Sequence, residues 1–423
     1  MTLPDIHRTI DAVWRIESAR LIASLTRLVR DVGLAEDLAQ GALVAALEQW
    51  PQAGIPDKPG AWLMATAKHH AIDQIRRNVR LERKTEEMGR DLELEQAIGV
   101  PEETDSDEDM GDDLLRLIFI ACHPILSKDA RLALTLRLLG GLTTDEIARA
   151  FLVPEPTIAQ RIVRAKRTLS EAHVPFEVPM GTERVDRLSS VLEVIYLIFN
   201  EGYSATAGDE WMRPALCEDA LRLGRILAEL MPNETEVHGL VALMEIQASR
   251  LRARVGPSGE AIPLLEQNRG RWDQLLIQRG FAALIRAESV GGALGPYRLQ
   301  AAIAACHAQA RNPEDTNWER IAALYDALAQ VTPSPIVELN RAVAVAMAFG
   351  PAAGLEIVDT LTSEPALKSY HLLPSVRGDL LAKLGRFNEA GEEFKRAASL
   401  TRNARERELL LERAAMMMKG KTE

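Results

Sequence analysis

The chain has 423 residues, 47% of them hydrophobic but only 4% aromatic, and a formal net charge of −11. That length exceeds one ordinary core and points to about two to four domains, and an apolar set dominated by Ala and Leu favours helices over sheets. An anionic whole argues against nucleic acid, because phosphate contacts need Lys and Arg, so a DNA-binding face has to come from a local concentration of base.

Residues 1–90 read as helices. Ile16, Ala19, Leu21, Ile22, Leu25, Leu28 and Val29 recur at helical spacing, and Gly33 is expected to end that run. Leu34, Leu38, Leu43 and Leu47 carry a second stripe, on a segment whose start, Asp31 to Gln40, is acidic and suited to a protein partner. The stretch from Pro51 to Gly60 is dense in helix breakers and reads as a loop. A third helix is expected from Ala61 to about Arg90, with Leu63, Ala67, Ala71 and Ile75 on one face. Lys68, His69, Arg76, Arg77, Arg80, Arg83 and Lys84 form a basic strip nearby. Trp62, at the start of this helix, is either core or a platform for an unstacked base.

Residues 91–113 hold eleven acids and no Lys or Arg. Such a block repels itself and buries little, so it reads as a solvated tether; mimicry of nucleic acid is the alternative. Residues 114–172 read as a compact helical unit. Within it, Thr143 with Glu146 three residues on is a capping box. Ile147, Ala148 and Phe151 give the first helix an apolar face, Leu152-Val153-Pro154 makes a turn, and Pro156 suits only the first turn of a second helix. Ile158, Ile162 and Ala165 then face inward, while Thr157, Gln160, Arg161, Arg164 and Arg167 lie opposite. This is a helix-turn-helix pattern, whose second helix enters the major groove with its N-terminal residues at base edges. Gln160 and Arg161 suit base edges, and Arg164, Lys166 and Arg167 suit phosphates.

A linker from Val174 to Gly181 follows, and from Val185 the chain is again helical, with Gly/Pro breaks spaced like joints between helix pairs. Near the end, Leu384-Gly-Arg-Phe387 with Ala390, Phe394 and Ala397 has the small/large alternation of a tetratricopeptide unit. Tyr196, Asn200, Glu201, Tyr203 and Trp211 form a polar-aromatic cluster that reads as helix-end packing and capping, with a binding site as the alternative.

Cys122, Cys217 and Cys306 lie far apart and offer no zinc spacing, which fits a reducing cytoplasm. His69 and His70 are adjacent, so they point about 100° apart on a helix and cannot share one metal. Met1 to Asp11 shows no signal-peptide pattern, and no apolar run reaches the ~18 residues that span a membrane. No Walker loop, GxSxG, dinucleotide turn or HExxH occurs. The expectation is a cytoplasmic protein that is not an enzyme, with no cofactor, metal or membrane contact.

Ala35-Glu-Asp-Leu-Ala-Gln40, then Trp62-Leu through Asp73 to Arg76-Arg77, then Asp145-Glu-Ile-Ala148 through Thr157 and Arg161 to Lys166, occur in that order. This succession resembles sigma factors of the extracytoplasmic-function (ECF) group, over about the first 40% of the chain. The resemblance implies an all-α chain. A region 2 bundle (1–90) and a region 4 helix-turn-helix (114–175) are joined by the acidic linker (91–113) and followed by a tetratricopeptide-like extension (183–423). It implies that Glu36, Asp37 and Gln40 bind core RNA polymerase. Trp62, Lys68, His69, Asp73, Arg76, Arg77 and Arg80 would meet the −10 element. Thr157, Gln160, Arg161, Arg164, Lys166 and Arg167 would meet the −35 element. The implied partners are the β′ clamp and β flap of the polymerase, promoter DNA, and a protein or peptide ligand of the extension. Leu117 to Pro124 and Tyr196 to Tyr203 are similar to the subgroup that carries such an extension. On the residues alone two other readings stay open: a helical-repeat scaffold, and a helix-turn-helix regulator that binds duplex DNA without joining polymerase.

Overall fold

The computed structural model describes residues 3–85, 107–151, 153–204, 212–256, 262–401 and 403–419. Among these are eighteen α-helices and no β-strand, the all-α class expected. Residues 1–194 and 195–423 form two compact units.

In the first unit, α1 (Leu3–Val29), α2 (Val32–Ala53) and α3 (Pro59–Thr85) pack on one another. The break between α1 and α2 falls at Arg30, whose φ of 54° is left-handed, and not at Gly33. Asp31 starts α2 by accepting the Leu34 N–H at 2.8 Å, which places Gly33 in the first turn. The buried face of α2 is Ala35, Leu38, Ala39, Ala42, Ala46 and Trp50; of the expected leucine stripe Leu38 is buried and Leu47 exposed. Alanines make up most of this face, and side chains that small let neighbouring helices approach closely. On α1, Ile6, Ile10, Leu21, Ile22 and Leu25 are buried, whereas Ile16 is 66% exposed. α2 runs on through Pro51 and stops at Gly54, where φ is 87°.

The next helix, α4 (Asp107–Ala121), begins inside the stretch expected to be a tether. Its Asp113 is almost fully buried, paired with Arg27 of α1 at 3.1 Å and with Arg116 at 2.6 Å. Two guanidiniums offset the loss of hydration, so this acid belongs to the packed unit. Residues 91–106 of the expected tether lie outside the described residues, as does Leu152 of the turn. α5 (Lys128–Leu138), α6 (Thr144–Phe151) and α7 (Glu155–Glu171) follow. The first part of α8 (Gly181–Tyr203) closes the unit: Arg187 donates to the Phe119 carbonyl at 3.0 Å, and Ser190 to the Cys122 carbonyl at 2.6 Å. Arg131 donates to Ser190.

Besides the Arg27–Asp113 pair, the two sequence modules are joined by Glu36 of α2, which is only 3% exposed. Arg137 of α5 donates to it at 2.6 Å, and Lys166 of α7 is its second cation. Gln40 adds a hydrogen bond at 2.6 Å. Burial raises the Glu36 pKa, but the charges and hydrogen bonds of Lys166 and Arg137 outweigh that, so the carboxyl titrates below its ordinary value.

In the second unit, consecutive helices pack in sequence: α9 (Pro214–Leu230), α10 (Thr235–Ala248), α11 (Gln274–Val290), α12 (Pro296–Gln309), α13 (Trp318–Val331), α14 (Pro335–Phe349), α15 (Pro351–Leu361), α16 (Leu372–Lys383), α17 (Phe387–Leu400) and α18 (Ala404–Lys419). Ala390, Phe394 and Ala397 on α17 are fully buried, as their alternation predicts. Gly378 of α16 leaves room for the Phe394 ring, which a Cβ there would meet at 3.0 Å. Leu384 and Phe387 stand at the turn and are partly exposed.

Two outcomes follow. Phe394→Ala should destabilise the second unit by about 3–5 kcal/mol, read from chemical denaturation. Glu36→Gln should cost about 2–3 kcal/mol at pH 7, below the value for breaking a fully buried pair, because Arg137 and Lys166 keep some solvent. A carboxyl whose folded pKa is depressed stabilises above its unfolded value, 4.5 here, and loses that contribution as pH falls through the lower folded value. The gap between wild type and Glu36→Gln should therefore narrow below about pH 4.5; a gap that stays constant to pH 3 would show that the carboxylate charge is not what holds the contact.

Candidate promoter and polymerase interface

The helix-turn-helix forms as its sequence dictates. The Glu146 N–H donates to Thr143 Oγ1 at 3.2 Å, and the Thr143 N–H donates back to Glu146 Oε2 at 2.8 Å. Burial pushes the Glu146 pKa up, but the Thr143 hydrogen bonds and the Arg15 charge prevail and hold it below the usual range. Arg15 of α1 reaches the same carboxylate at 2.7 Å. Ile147, Ala148, Ile158, Ile162, Ala165 and Leu169 are buried between α6 and α7 and fix their crossing.

That packing leaves Gln160, Arg164 and Arg167 exposed on α7, with Thr157 half-buried at its start. These positions recur at three- and four-residue spacing, so they share one face. Arg164 makes no ion pair among the described residues. Arg167 pairs with Glu171 at 2.7 Å along its own helix, a contact open to solvent. Arg161 is drawn to Asp129 of α5 at 2.9 Å. Lys166, expected at phosphate, turns instead to Glu36 and is largely covered.

The expected polymerase-binding residues divide in the same way. Asp37 is exposed and Gln40 half-buried, but Glu36 is enclosed by the two cations and faces no partner in this arrangement. The reason is its helical position: Glu36 follows Ala35 toward the core, whereas Asp37 is turned outward. Asp37 and Gly41 of α2 instead line a cleft of about 360 Å³ with His70, Asp73, Gln74 and Arg77 of α3. Gly41 allows the two helices to meet there, since a Cβ would stand 3.2 Å from the His70 ring.

On α3, His69, Asp73, Arg76 and Arg77 are exposed, and Lys68 is half-buried. The side chain of Arg80 lies outside the described residues, as do those of Arg83 and Lys84. Trp62 is half-buried and stacks edge-on against the buried Trp50, with ring centroids 5.4 Å apart. Core packing thus claims one face of this indole and leaves part of it open. The basic strips of α3 and α7 therefore both reach solvent in a chain of net charge −11. Reading the sequence missed Arg137 and Asp129, the residues that engage Glu36 and Arg161; both act across long separations and leave no local signature.

Among the described residues, no group of three or more His, Cys, Asp or Glu could hold a metal, and no helix is long and apolar enough to cross a membrane.

Comparison with known proteins agrees with this geometry. The Sigma-70 region 2 family matches residues 15–81, the helices that carry the cleft and the α3 strip. Sigma-70, region 4 matches residues 116–169, which include the helix-turn-helix. A family of unknown function, DUF6596, matches residues 187–288. An uncharacterized protein of Rhizobium meliloti (strain 1021) is 42% identical over 386 residues, covering 91% of this chain and 90% of that one. The probable ECF RNA polymerase sigma factor SigI of Mycobacterium tuberculosis (strain CDC 1551 / Oshkosh) is 25% identical over 179 residues, 42% of this chain and 60% of its own length. Sigma factors are not an enzyme family, and their domains imply core RNA polymerase and promoter DNA as partners. The chain thus carries the two Sigma-70 regions in order, on helices whose basic faces are open, and over 42% of its length it is similar to a probable ECF sigma factor.

Proposed function

We propose that this chain is an alternative sigma factor that joins core RNA polymerase, directs it to −10 and −35 promoter elements and starts transcription, with residues 195–423 regulating that activity. The observation that carries the reading is the pair of exposed basic strips, Arg76 and Arg77 on α3 and Gln160 and Arg164 on α7, each on a helix whose opposite face is locked in a core. Asp37 and Gln40 would contact the β′ clamp, and region 4 would reach the β flap. His69, Asp73, Arg76, Arg77 and Arg80 would take the −10 strand, with the open part of Trp62 beside an unstacked base. Thr157, Gln160, Arg161, Arg164 and Arg167 would read the −35 duplex.

Glu36 and Lys166 fit this reading only if the first unit opens. In the compact arrangement each occupies the other, so polymerase competes with Lys166 and Arg137 for the Glu36 carboxylate. Region 4 then swings free and exposes Lys166 to phosphate.

The test is transcription with core polymerase, the full chain and a pool of genomic fragments, followed by sequencing of transcript 5′ ends. Discrete start sites behind a shared upstream motif are expected; starts no different from core polymerase alone would sink the proposal. Arg164→Ala should lower initiation while leaving polymerase binding intact. Exchanging both Arg76 and Arg77 for Ala should reduce the salt slope of promoter binding by about 2, close to one released counterion per lost phosphate contact. Comparing the full chain with residues 1–194 in the same assay reads out what the C-terminal unit does.

A further inference from the structure

Within the second unit lies a cavity of about 350 Å³ whose lining combines arginines with apolar side chains. Arg250, Arg254, Gln267 and the Tyr203 ring are among its polar and aromatic lining, and Ile262, Leu264 and Leu410 among its apolar lining. The volume falls in the roughly 300–1,000 Å³ range of small-molecule sites.

Among the described residues no carboxylate pairs with Arg250 or Arg254. Arg250 is only 8% exposed, and its Nε has no hydrogen-bond partner. Arg254 lies over the Tyr203 ring at 3.6 Å, and its Nη1 is likewise without a partner. Burial, with the Arg250 charge adding to it, pushes the Arg254 pKa down. A third cation, Arg269, stands behind Trp272 and spends its donors on the carbonyls of His307 and Ala310, at 2.7 Å each. Burial and the charges of Arg250 and Arg269 push His307 down to about 4, so it adds no charge near neutrality but reports the cationic field. The one acid of the lining, Glu406, is already engaged by His371 at 2.9 Å and by the Thr401 hydroxyl at 2.5 Å. The remaining arginine, Arg413, is taken by Asp379. Gln267, 6% exposed, leaves its Oε1 unpartnered.

A buried and a half-buried guanidinium, with no counterion among the described residues, are costly in a folded protein unless something negative arrives. A planar guanidinium fork matches carboxylate and phosphate oxygens. We propose that this cavity binds a small organic anion, a carboxylate or phosphate monoester with a compact apolar body: the head on Arg250 and Arg254, the body against Ile262, Leu264 and Leu410. This site is independent of the DNA and polymerase surfaces, and its test needs no transcription.

The test uses the full-length chain, thermal unfolding and titration calorimetry, and three probes: phenyl phosphate, phenylacetate and neutral benzyl alcohol. At least one of the two anions should raise the Tm and bind saturably at one site, and benzyl alcohol should not; which anion binds identifies the head group. No anion-specific rise in the wild type overturns the proposal. Arg254→Met should weaken the binding anion by about ten- to a hundred-fold, while Lys395→Gln, on the solvent face of α17, should leave it unchanged. Gln267→Glu covers the case in which Arg254→Met does not fold. It keeps both arginines and supplies a carboxylate in place, so it should raise the ligand-free Tm and abolish the response to the anion. Wild-type affinity in either variant overturns the assignment.

Discussion

The first unit depends on one buried carboxylate. Glu36 gives up nearly all its hydration, and it can stay charged only because Arg137 and Lys166 converge on it from two other helices. That demand fixes α2, α5 and α7 relative to one another. It binds the helix expected to meet polymerase to the helix expected to meet the −35 element. Removing either cation leaves a buried acid with half its support, so the three side chains act as one contact. The alanine face of α2 permits the same closeness sterically that Glu36 enforces electrically.

The second unit treats buried charge in the opposite way. Where unit 1 brings two cations to one acid, unit 2 gathers Arg250, Arg254 and Arg269 around Tyr203 and Trp272 with aromatic faces and carbonyls as their main partners. Ring faces attract cations but do not neutralise them. The Glu36 contact thus balances its buried charge, whereas Arg250 and Arg254 meet no carboxylate among the described residues, although the net charge of the whole is negative.

What could be read from the sequence was what is local. The Thr143–Glu146 box, Pro156 at a helix start and the Ile158–Ile162–Ala165 stripe involve neighbours within a turn or two, and they formed as their spacing implies. The stop at Arg30 was hidden, because a non-glycine residue at positive φ has no compositional mark and Gly33 stands three residues on. Asp113 read as part of an acidic tether because its partner Arg27 lies far upstream. Glu36 read as a surface acid for the same reason: Arg137 is 101 residues away. The exposed rows of α3 and α7 could be named from periodicity, but which of their members are already engaged could not, since Asp129 and Glu36 come from other helices.

The three cysteines, all buried, carry a consequence for sensing. Burial holds the Cys122 thiol up at about 11 and the Cys217 thiol at about 12, and raises that of Cys306 as well. The thiolate is the nucleophile that attacks peroxides and disulfides, and a raised thiol pKa keeps that form scarce near neutrality. Oxidation at cysteine is therefore disfavoured while the chain is folded. A signal carried by cysteine oxidation would require the fold around these thiols to open first.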